Sequence, residues 1–145
     1  MNIDVEIKNA MLAKDARRLI AVKAIKSAFT LAKTEKGSTG ELTPEQELKI
    51  IQKLCTQRKE SYEIFSKENR PELAQIEKEE LEVLESYLPA QMTDAQLLTI
   101  IEDEIFVQQA TSIKDMGKVI GGVSKRVAGQ ADGARISKMV KQILG

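Results

Sequence analysis

Apolar residues at alternating three- and four-residue steps, interrupted once, set the strongest constraint on how this chain can fold. Leu48, Ile51, Cys55, Arg58, Tyr62 and Phe65 keep the period of an α-helix. Asn69-Arg70-Pro71 breaks the pattern, Leu73, Ile76, Leu81, Leu84 and Leu88 resume it, and Pro89 ends it. Two periodic helices joined by so short a link form an antiparallel pair. Thr43-Pro44-Glu45-Gln46 marks where the first begins, because threonine can cap the helix, proline suits its first position and glutamine can reach back to the Thr43 amide. The glutamates at 77, 79, 80, 82 and 85 are predicted to form the wet face of the second helix; a carboxylate metal site is the weaker reading, since no histidine accompanies them.

Upstream, Ile3, Ile7, Ala10 and Met11 predict a short first helix. The span from Asp15 to Lys36 carries one stripe at Leu19, Val22, Ile25 and Phe29 and a second at Ile20, Ala24 and Leu31, which predicts a central helix packed from both sides. Gly37-Ser-Thr-Gly40 supplies a turn. Abundant Ala, Leu, Ile, Lys and Glu with only three prolines and no tryptophan place the chain in the all-α class. Its 145 residues suit one ordinary domain or two small ones. No apolar run approaches the roughly 18 residues of a membrane span, and the N-terminus lacks a signal-peptide core, so a cytoplasmic protein without membrane association is expected.

Cys55 is the only cysteine and there is no histidine, which excludes an intramolecular disulfide, cysteine–histidine and serine–histidine catalysis, and zinc sites of the usual kind. Cys55 reads as a small buried hydrophobe. Neither a catalytic residue nor a metal or other cofactor is expected.

The net charge of zero conceals a division along the chain. Residues 1–36 carry +4, residues 41–104 carry −9 and residues 114–141 carry +5. After "YLPAQMTD" the character changes: Thr93 or Asp94 can cap a helix bearing Leu97, Ile101 and Ile105, and Ser112-Ile-Lys-Asp115 has the pattern of a second capping box. A boundary at 92/93 therefore separates a helical domain, 1–92, from a C-terminal module, 93–145.

In that module Met116, Ile120, Val123 and Val127 share one side of a helix, while Lys114, Lys118 and Lys125 lie opposite. Gly117 and Gly121 sit beside the lysines and leave backbone uncovered for a phosphate or a neighbouring helix. Gly122 borders the row with no separate role. Gly129-Gln-Ala-Asp-Gly133 reads as a turn in which Asp132 caps the final helix, whose apolar side is Ile136, Met139, Val140 and Ile143 and whose other side carries Arg135, Lys138 and Lys141. The seven cations Lys114, Lys118, Lys125, Arg126, Arg135, Lys138 and Lys141 are the candidate contacts for a polyanion.

"KDMGKVIGGVSKRVAGQADGARISKMVKQIL", the preceding "EELEVLESYLPAQMTDAQL" and "QRKESYEIFSKENRPEL" together resemble the GatB/YqeY family. The likeness covers nearly the whole chain for the free-standing YqeY branch, and about residues 93–145 for the tail of the B subunit of the tRNA-dependent amidotransferase. The resemblance implies a larger N-terminal helical bundle and a small three-helix C-terminal domain. It further implies that this domain is similar to one that holds the tRNA body while a misacylated Glu-tRNA or Asp-tRNA is amidated elsewhere. Expected partners are tRNA and components of the amidotransferase or of aminoacyl-tRNA synthetases, which would place the protein in translation.

The leading expectation is a non-catalytic tRNA-binding accessory module. Its binding should be led by shape, because the basic stretch holds no aromatic on which bases could stack. A protein-interaction adaptor using the glycine-lined helix face is the second reading. The third, by family association, is an amidotransferase, a carbon–nitrogen ligase with glutamine as donor, although the resemblance does not extend to the separate domain in which that enzyme's phosphorylating site lies, and the sequence shows no amidase-like Ser-Ser-Lys arrangement.

Overall fold

The computed structural model describes residues 1–37 and 40–145. Among these the chain is all-α: α1 (Ile3–Leu12), α2 (Ala16–Thr34), α3 (Pro44–Lys67), α4 (Pro71–Glu85), α5 (Asp94–Gln108), a 3-10 turn (Ile113–Asp115), α6 (Met116–Val127) and α7 (Gly133–Leu144). They fall into two compact units, Met1–Leu88 and Pro89–Gly145.

Local chemistry sets most of the helix starts. Thr43 and Thr93 each accept from the amide three residues on, while Gln46 and Gln96 reach back to the capping amides, which completes two capping boxes. Asn2 and Asp15 cap α1 and α2 through their side chains. The turn expected at 37–40 falls partly on Ser38 and Thr39, outside the described residues.

In the first unit α3 and α4 are joined by three residues, of which Asn69 has φ +58, a left-handed conformation that asparagine tolerates. Arg58 lies ten residues before the link and meets Glu77 and Glu80 beyond it, so the helices run back along each other. Ala21, Ile25 and Phe29 of α2 close a core with Ile51, Cys55 and Leu84. Cys55 takes the place of a buried apolar residue.

Two expectations in this unit are corrected. The second stripe of α2 is only partly packed: Ala24 is half-buried, but Ile20 and Leu31 stand exposed, since α1, α3 and α4 all gather on the side of Val22, Ile25 and Phe29. Nor are the α4 glutamates uniformly a wet face. Glu80 is buried, with Arg58 Nε 2.9 Å from its Oε2 and Arg17 Nη1 3.9 Å from its Oε1; Glu79 takes Arg17 Nε at 2.9 Å. Burial pushes the Glu77 carboxyl upward, Arg58 pulls it down and Glu80 pushes it up again. Ile76 and Tyr62, expected inward, are partly exposed instead. Where Arg58 joins the inward face of α3, the matching positions of α4 must be carboxylates.

In the second unit Leu97 and Ile101 of α5, Val119, Val123 and Val127 of α6, Ala131, and Ile136 and Val140 of α7 form one core. The unit starts four residues before the boundary drawn from sequence. Met92 N donates to Gln130 O at 2.8 Å and Gln91 Nε2 to Gly129 O at 3.1 Å, which holds residues 91–92 against the turn between α6 and α7.

Candidate nucleic-acid interface

The valines at 119, 123 and 127 recur every four residues and turn one side of α6 into the core. The opposite side carries Lys118, Gly121 and Lys125, all exposed. Lys118 and Lys125 are two turns apart, about 10 Å along the axis. With Gln108, Ala110, Asp115, Gly121 and Gly122 they line a groove of about 540 Å³. Gly121 faces open space there, and so does Gly117 one turn earlier.

Gly122 does something different. A Cβ at this position would collide with the Glu104 carboxylate and the Gln108 amide of α5. Its missing side chain makes room for a polar seam in which Gln108 Nε2 donates to Glu104 Oε1 at 2.7 Å and to Lys118 O at 3.0 Å. The close approach that glycine permits is therefore realised at Gly122, and the neighbour that uses it is α5.

The seven candidate cations divide by what surrounds them. Arg126 joins that seam, 2.8 Å from Asp103 Oδ2 and 3.2 Å from Glu104 Oε2; Asp103 first and Glu104 second raise its guanidinium above the ordinary value. Arg135 forks onto Asp94 Oδ1 through Nε at 3.1 Å and Nη2 at 2.8 Å, and Nη2 also donates to Met92 O at 2.6 Å. Both arginines are engaged within their own unit. Lys114, Lys118, Lys125, Lys138 and Lys141 are exposed, and among the described residues no ion pair holds them. Lys138 and Lys141 stand on the outer side of α7 and do not line the groove.

The two carboxylates of 114–141 serve as caps. Asp132 Oδ1 accepts from Arg135 N at 2.7 Å, which starts α7. Asp115 Oδ2 accepts from Thr111 N at 3.0 Å and Ser112 N at 3.4 Å, and its negative charge at the groove's edge offsets part of the lysine field. Neither α6 nor α7 contains a carboxylate of its own. Gly129, with φ +86, follows Ala128 at φ +42, so two successive left-handed residues make the turn that directs the chain into α7. Gly133 is the first residue of that helix, with open space around it.

The position of Glu104 carried a signal for the Arg126 pairing. It lies three residues after Ile101 and seven after Leu97, on the buried side of α5, where a carboxylate needs a cation from a neighbouring helix.

The Yqey-like protein family matches residues 1–144. Two fungal proteins, each named "Altered inheritance of mitochondria protein 41, mitochondrial", are similar. The one from Lachancea thermotolerans is 35% identical over 88 residues, covering 60% of this chain and 46% of its own length. The one from Pyrenophora tritici-repentis is 29% identical over 152 aligned positions, covering 99% of this chain and 79% of its own length. The chain thus spans about half of the first relative and four-fifths of the second.

Proposed function

With this chain a member of the Yqey-like protein family, we propose that its C-terminal unit binds the sugar–phosphate backbone of a structured RNA, a tRNA in the first instance, as a non-catalytic accessory module. One observation carries the reading: Lys118 and Lys125 flank the bare backbone of Gly121 in an open groove, on a helix without carboxylates. Ammonium groups beside uncovered backbone suit phosphate, and they position a ligand without reading its bases. Lys114, Lys138 and Lys141 extend the field, while Arg126 and Arg135 hold the fold that presents it.

Titration of tRNA against salt tests the proposal. Each phosphate contact removed should flatten the slope of log affinity against log salt by about 0.7 to 0.9. Lys118→Ala with Lys125→Ala should therefore weaken binding and flatten the slope by about 1.4 to 1.8; unchanged affinity and slope would remove the groove from consideration. Glutamine-dependent amidation of Glu-tRNA by the purified chain would make it an enzyme instead. The second reading, a protein-interaction adaptor using the glycine-lined face of α6, gains some support from Phe106 and Val107 of α5, which are 79% and 66% exposed; a protein partner that survives nuclease and high salt would favour it. A cytoplasmic location is part of the proposal, and fractionation tests it.

A further inference from the structure

The N-terminal unit holds a second carboxylate-free helix. Between Ala16 and Thr34, α2 has five Lys or Arg residues and no Asp or Glu. Three of the five are engaged: Arg17 with Glu79 and Glu80, Arg18 with Asp15 and the Tyr87 hydroxyl, and Lys26 with Asp4 at 2.7 Å. Lys23 and Lys33 are exposed.

Helical geometry gathers the other polar groups on one side, where the Thr34 hydroxyl donates to Leu31 O at 2.9 Å. With 100° per residue, Ser27, Thr30 and Thr34 fall within about 40° of Lys23, and Lys26 and Lys33 flank them on one edge. This side lies opposite Ala21, Ile25 and Phe29, which enter the core. Lys23, Lys26, Ser27, Thr30 and Thr34 line an open groove of about 550 Å³ together with Leu31. Leu31, which stands exposed, forms its other edge.

An ordinary solvated helix face mixes signs, as α3 does here: Lys49, Lys53 and Lys59 alternate with Glu45, Glu60 and Glu63. Ammonium and hydroxyl groups in one row, without an acid on the same helix, are the side chains that contact nucleic-acid phosphate and sugar.

We propose that the outer face of α2 is a second backbone-binding surface for the same RNA, so that each unit of the chain contributes one. The choice of RNA rests on the reading of the C-terminal groove; the charge complementarity is α2's own.

Binding of total deacylated tRNA to the full chain, followed over a range of salt, separates the two claims. Lys23→Ala with Lys33→Ala should weaken binding and flatten the salt slope by about 1.4 to 1.8. Lys59→Ala with Lys67→Ala, on the mixed face of α3, should leave the slope within error; an equal flattening would mean that only total charge matters and would overturn the proposal. If the α2 pair leaves the slope unchanged while Lys118→Ala with Lys125→Ala lowers it, the α2 surface is wrong and the C-terminal reading stands. The reverse pattern keeps α2 and removes the groove, and no change in either removes both. Thr30→Glu adds a repelling charge without deleting a lysine and should also weaken binding; full affinity in this variant would count against the surface.

Discussion

Gly121 and Gly122 are adjacent residues in one helix, yet substitution should affect them oppositely. Alanine at 121 meets nothing and gains about 0.5 to 1 kcal/mol of helix propensity. Alanine at 122 gains the same but displaces Glu104 from Gln108 and Arg126, losing hydrogen bonds worth about 1 kcal/mol each. Urea unfolding should rank Gly121→Ala above Gly122→Ala by about 1 to 2 kcal/mol; the opposite order would mean that the seam is not as described. In the same pair Gly121→Ala should reduce tRNA affinity while raising stability, because its methyl group enters the groove.

At the scale of the element, two of the candidate cations, Arg126 and Arg135, also tie segments together. Arg135 joins α7 to Met92 and Asp94, and a lysine could not reproduce its fork. Arg135→Ala should destabilise the C-terminal unit by about 1.5 to 3 kcal/mol while leaving the salt slope of tRNA binding unchanged. Denaturant melts alongside the binding titration check both halves. Helix ends and core faces were legible because capping boxes and three-four spacing are local properties of the chain, as Thr43, Thr93 and Asp132 show. The partners of Arg58 and Arg135 were not, because each carboxylate lies on another element and becomes a partner only after the helices pack; for Arg126 the inward position of Glu104 on α5 was the one local sign. The exposure of Ile20 and Leu31 was missed for a related reason: an apolar stripe states what a helix could bury, and the neighbours of α2 all occupy its other side.

For the molecule as a whole, the two cores share no residue: one runs from Ala21 to Leu84 and the other from Leu97 to Val140. Removing bulk from one should leave the other intact. Leu84→Ala should cost about 2 to 5 kcal/mol, and hydrogen exchange should show lost protection in α2, α3 and α4 but not in α6 and α7. Loss in both sets would show that the units unfold as one. The charge blocks along the sequence acquire a structural meaning at this scale. Each basic block contains a carboxylate-free helix, α2 in the first unit and α6 and α7 in the second, while the acidic block between them supplies partners such as Glu80, Asp94 and Glu104.

The hydrogen bond from Met92 to Gln130, with the grip of Arg135 on Met92, bears on the order in which a ribosome completes this protein. Every residue of the first core has been made before Pro89 is added, so that unit can fold while synthesis continues. The second closes later. Its opening residues wait for partners at Gly129, Gln130 and Arg135, and α5 must remain without its seam and its core until α6 and α7 emerge. Leu97 and Ile101 are then apolar surface that the nascent chain leaves uncovered until α6 and α7 have been made.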